Sequence, residues 1–117
     1  MQVVRLAREN GKRPNLCEAN IRETDLCGVD LRGALLIGAN LKGTDLSQAD
    51  LIRTNLQGAN LIGANLQKAV LKGSNLQDAN LTGANLSRAD LDGVLYNSET
   101  VWPINFSPIR AGAIQED

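Results

Sequence analysis

The amino-acid sequence predicts an all-β solenoid, a chain wound into stacked coils around a core of leucine and alanine. Three observations lead there. Leucine or isoleucine recurs every five residues from Leu16 to Leu91, sixteen consecutive positions without a gap. Hydrophobic residues make up 43% of the 117-residue chain, yet only Tyr96, Trp102 and Phe106 are aromatic, so small aliphatic groups must fill the interior. Asn, Asp and Gly recur once or twice in each five-residue unit and tolerate turns, which supplies a corner at the required frequency.

A period of five excludes both regular alternatives. At 3.6 residues per turn each step of five rotates by about 140° and scatters the leucines around a helix axis. In a flat strand, an odd step sends successive leucines to opposite faces. Only a backbone that turns once per unit keeps them together.

The N-terminal segment, residues 1–13, reads as a helical cap. Val3, Leu6 and Ala7 share one stripe, Arg5, Arg8 and Glu9 lie elsewhere, and Asn10-Gly11 supplies a stop. A stacked column exposes an apolar ring and unpaired strand edges at each end, so atypical terminal segments are expected.

Residues 14–95 carry the repeat. With the Leu position called i, position i−2 is almost always small, with ten Ala, three Thr and Ser74 among its occupants. Position i−1 is Asn or Asp in fourteen of sixteen units, the exceptions being Leu35 and Val70. Glycine recurs at i+2, as at Gly28, Gly43, Gly58 and Gly73. Units such as Ala39-Asn40-Leu41-Lys42-Gly43 resemble the pentapeptide-repeat family across the whole segment. The resemblance implies a right-handed quadrilateral β-helix of four units per coil, hence about four coils, with i and i−2 pointing inward. Inward Thr24 and Thr44, and Thr54 and Ser74, then stand twenty residues apart. Each pair is expected to satisfy its hydroxyls by bonding to each other.

Residues 96–117 read as a C-terminal cap and tail. All three aromatics fall there, as a bulky lid on the open end, and Ser107-Pro108 predicts a final short helix. The flanks around the repeat, GKRPN and TVWPINFSPIRAGA, resemble those of cyanobacterial members of the same family.

For function, the composition removes more than it offers. With no histidine, the usual general base at neutral pH and the commonest metal ligand are missing, so neither catalysis nor a cofactor or metal is expected. Ser47, Ser74 and Ser87 have no base beside them, and every glycine of the repeat follows the corner rule rather than a phosphate-binding pattern. Cys17 and Cys27 are ten residues apart and project from opposite walls of a four-sided coil, so no disulfide or shared metal is expected. The formal charge of −1 gives no general pull toward nucleic acid or membrane lipid, no 18-residue apolar run exists, and MQVVRLAREN lacks a signal-peptide core. The expectation is a cytoplasmic monomer, lumenal or periplasmic only if a targeting segment has been removed.

Two surface features are candidate sites. Asp25 over Asp45 and Asp30 over Asp50 form an acidic corner, eased by Arg32 and Arg53, and Gln48, Lys68 and Arg88 make that wall basic further along. Leu35 with Ile37, and Ile52 with Val70, put aliphatic side chains where the pattern expects polar ones, a candidate protein-binding patch. The function expected is a non-catalytic scaffold whose rigid walls bind a protein partner. The alternative that the family resemblance implies is a DNA-mimicking inhibitor or protector of the type II topoisomerase gyrase. Against it, the repeat carries seven basic and nine acidic residues, a sparse charge beside that of a duplex.

Overall fold

The computed structural model describes residues 2–117, the Val3 side chain excepted. Every unit of the repeat makes the same corner. In every unit but that of Ile21 the carbonyl at i accepts the N–H three residues on, as Leu56 does from Ala59 at 3.0 Å, and the residue at i+2 has φ between 56° and 72° in all sixteen units, Glu18 to Gly93. A turn with positive φ at its third position is what glycine suits best, and glycine takes nine of the sixteen. The Asn or Asp at i−1 closes the corner from the other side. All fourteen such residues accept the N–H of i+1 through Oδ1, at 2.9–3.5 Å.

Between corners the chain is extended for one paired position, and that position pairs in parallel with the one twenty residues away. Four columns result: Asn15, Leu35, Asn55, Asn75 and Leu95 form wall A; Asn20 to Asn80 form wall B; Asp25, Asp45, Asn65 and Asn85 form wall C; Asp30, Asp50, Val70 and Asp90 form wall D. Twenty residues per coil and four walls make a four-sided column, with four regular coils between Asn15 and Leu95. Inside it, Leu31 to Leu81 of the series are entirely buried and their alanine neighbours are at most 1% exposed up to Ala79.

The inward hydroxyls behave differently from expectation. Thr44 Oγ1 donates to the Ile21 carbonyl at 2.7 Å, Thr54 to Leu51 at 2.9 Å and Thr24 to Arg22 at 3.2 Å, while Ser74 Oγ is buried with no partner. Main-chain carbonyls lie within reach of each threonine, so no hydroxyl pairs with its counterpart.

The N-terminal helix, α1 (Gln2–Glu9), caps the first coil. Gly11, with φ of 68°, ends it, and Lys12 N–H returns to the Ala7 carbonyl at 2.8 Å. Val4, not Leu6, is the buried contact: Val4 is 7% exposed and Leu6 44%, with Ala7 half-buried. The Val3 side chain lies outside the described residues.

The C-terminal segment is more than a lid. Leu95–Tyr96 (β1) pairs in parallel with Ile114–Gln115 (β2), so residues 96–114 wind one further, irregular coil. Asn80 pairs with Val101, twenty-one residues away, whereas Leu95 pairs with Ile114 after nineteen. One extra residue sits in the Tyr96–Thr100 corner, and Thr100 takes the inward i−2 place, its Oγ1 donating to the Leu76 carbonyl at 2.9 Å. Tyr96 is buried; Trp102 meets it edge-on at 5.5 Å and stacks on Phe106 at 5.2 Å. Ser107-Pro108 starts a hydrogen-bonded turn rather than a helix, because Gly112, with φ of 89°, redirects the chain into β2.

Candidate functional surfaces

The acidic corner is largely spoken for by the fold. Asp25 and Asp45 accept the N–H groups of Cys27 and Ser47, and Asp45 also accepts Ser47 Oγ–H at 2.6 Å, which lowers its carboxyl below the ordinary value. Asp30 is chelated by Arg32 at 3.0 Å through both nitrogens, and hydrogen bonding to that guanidinium lowers its carboxyl further than burial raises it. Asp50 lies 3.5 Å from Arg32, and Arg8 of α1 reaches Asp30 at 3.4 Å. The second cation at this corner is therefore Arg8, folded back from the helix; Arg53 makes no ion pair with these carboxylates. Arg8, Arg32 and Arg53, with Gly33 and Ile52, instead line a shallow cavity of about 440 Å³. Among the described residues no cluster of His, Cys, Asp or Glu has the arrangement of a metal site.

The aliphatic candidates occupy two walls. Leu35 is half-buried in wall A beside Ile37, which is 37% exposed. Val70 is half-buried in wall D between Asp50 and Asp90, and Ile52 sits on the same wall with Arg32 and Lys72 on either side. Leu35 and Val70 replace the turn-closing Asn or Asp, so the N–H groups of Ile37 and Lys72 lack the side-chain acceptor that the corresponding groups have in the fourteen other units. Cys17 and Cys27 are free and exposed on walls A and C.

A further surface was not read from the sequence. At the C-terminal end, Leu86 and Ala89 are only half-buried, Ile104 is 91% and Ile109 72% exposed, and a cavity of about 310 Å³ lies between residues 84–87 and 103–106. The break in the fivefold pattern after Leu91 was its only signal.

The family model for pentapeptide repeats matches eight copies, over residues 13–33, 30–67 and 59–95. A search of curated proteins finds no match. Among solved structures, the pentapeptide repeat protein Rfr23 from the cyanobacterium Cyanothece 51142 is 49% identical with a TM-score of 0.76, over 77% of this chain and 61% of that one. The chain thus spans about three fifths of that protein's length. The pentapeptide repeat protein alr5209 from Nostoc Pcc 7120 is 36% identical over 98% of this chain and 93% of its own, with a TM-score of 0.51. AT2G44920, a pentapeptide repeat protein from the Arabidopsis thaliana thylakoid lumen, is 28% identical with a TM-score of 0.59, over 72% and 62%. The four-sided ladder, the repeated corner and these matches together place the chain in the pentapeptide repeat family, as a right-handed quadrilateral β-helix.

Proposed function

We propose that this chain is a non-catalytic scaffold that binds a protein partner on its walls. The observation that carries the reading is the placement of Leu35 and Val70. Each forgoes a corner hydrogen bond made at all fourteen other i−1 positions and contributes half-exposed aliphatic surface instead. A residue that weakens a structural device without filling the core is explained by what it presents to the outside. The surrounding frame supports this: ladder spacing of about 4.8 Å holds outward side chains in rigid columns, so little ordering entropy is lost on docking.

The gyrase-directed alternative has weaker support here. Arg32 neutralises part of the acidic corner and Lys68 and Arg88 make wall C basic, so no wall carries the continuous negative charge of a duplex. Residence in the cytoplasm stays part of the proposal; among the described residues no helix is long and apolar enough to cross a membrane.

The test is a capture experiment from the native host with the wild type and the double variant Leu35→Asn and Val70→Asn. Restoring the corner bonds raises stability by about 0.5–1 kcal/mol per site while removing the aliphatic surface. A partner retained by the wild type and lost by the more stable variant supports the reading. A partner retained equally by both overturns the assignment to these walls.

A further inference from the structure

The ladder stops abruptly on walls C and D, whereas wall B continues to Val101. One coil down, the N–H groups of Leu66, Lys68 and Leu71 donate to Asn85, Ser87 and Asp90, and Ala64 accepts from Asn85. In the last regular coil the corresponding groups, the N–H of Leu86, Arg88 and Leu91 and the carbonyls of Ala84 and Ala89, have no hydrogen-bond partner among the described residues. The chain that would have paired with them turns away. Pro103 has no N–H to donate, Phe106 N–H is taken by the Pro103 carbonyl at 3.2 Å, and Asn105 adopts φ of 64°. What remains is the 310 Å³ groove between residues 84–87 and 103–106, with Leu86 and Phe106 half-buried along it and Ile104 beside it in water.

We propose that this groove takes an extended segment of a partner protein, which adds to the open edge as a parallel strand. The occupant's chemistry follows from the coils below. A residue at the paired position donates to Ala84 O and accepts from Leu86 N–H, and the carbonyl two residues on accepts from Arg88 N–H, repeating the bonds that residues 85 and 87 make one level down. The preceding side chain lies over Ala84 and must be small. The following one lies over Leu86 and must be apolar. The third after the paired position stacks over the column of Lys68 and Arg88, neither of which has an ion-pair partner among the described residues, and is acidic. The segment is thus small, any, aliphatic, any, acidic.

The proposal rests on the protein-binding reading above but concerns a different surface, so its failure leaves capture through Leu35 and Val70 unaffected. The probe is the peptide acetyl-Ala-Asn-Leu-Gln-Glu-amide added to the ¹⁵N-labelled full chain, with amide exchange at Leu86 and Arg88 and Trp102 fluorescence as readouts. Slowed exchange at both amides, lost on N-methylation of the peptide's Asn and in a scrambled peptide, supports it. Replacing the peptide's Glu by Lys weakens binding by about fivefold, and Arg88→Glu reverses that preference. No protection at millimolar peptide, equal binding of the N-methylated or scrambled peptide, or a preference that Arg88→Glu leaves unchanged would overturn it. Concentration-dependent protection without any peptide would also overturn it, by assigning the edge to a second copy of the chain.

Discussion

The corner geometry makes a reciprocal pair of substitutions informative, because its cost separates from packing. At Gly58, φ is +69° and an added Cβ would meet nothing within 4 Å, so Gly58→Ala tests backbone conformation alone. A left-handed conformation costs a residue with a Cβ roughly 1–2 kcal/mol, and the lower entropy of alanine in the unfolded chain returns about 0.4–1 of that. The net is a loss of about 0.5–1 kcal/mol. Lys68 occupies the same place in its own unit at φ of 61° with an exposed side chain, so Lys68→Gly runs the argument backwards and gains a similar amount. For a chain of this length each 1 kcal/mol moves the midpoint by about 4 °C. Thermal melts followed by circular dichroism should therefore place Gly58→Ala about 2–4 °C below the wild type and Lys68→Gly about as far above. If both substitutions lower the midpoint, positive φ is not what the corner selects for, and the account of the repeat's glycines is wrong.

Core and surface should respond very differently. Leu56 is fully buried between two ladders that cannot close on a void, so Leu56→Ala should cost about 3–5 kcal/mol in urea denaturation, whereas exposed Gln115→Ala should cost under about 0.5. At low pH, the Asp30 contribution should fade. Its carboxyl is lowered in the folded state, chiefly by the Arg32 hydrogen bond, so its stabilisation is full above the ordinary carboxylate value of 3.8 and is lost as pH falls through the folded value. With the side chain 47% exposed the amount is about 0.5 kcal/mol. Asp30→Asn keeps an Oδ1 for the corner, so its deficit against the wild type should be present at pH 7 and shrink as the pH falls below 3.8; a deficit independent of pH would remove the ion pair from the explanation.

How far the fold was legible follows from the range of the interactions involved. The period of five, the inward Leu and Ala, the corner residues and the helix stop at Gly11 are local: each unit's turn bonds span two or three residues, so the same chemistry repeats visibly along the chain. The four-sidedness came with the family resemblance, and the Asn15–Leu35 pairing and its successors establish it through contacts twenty residues apart. Positions where the register breaks were not legible. Tyr96 to Thr100 holds one residue too many, and nothing in those residues says that Thr100 rather than Val101 will face inward until the Leu76 carbonyl of the neighbouring coil is in place to receive its hydroxyl. The same holds for Arg8, whose partner Asp30 is twenty-two residues away and becomes a neighbour only when the helix folds over the first coil. The open edge at Leu86 and Arg88 is likewise a fact of tertiary structure: their sequence is as regular as that of the coil below, and only the departure of residues 103–106 leaves them unpaired. Local corner chemistry builds the coil, whereas what each coil end meets depends on where distant chain happens to return.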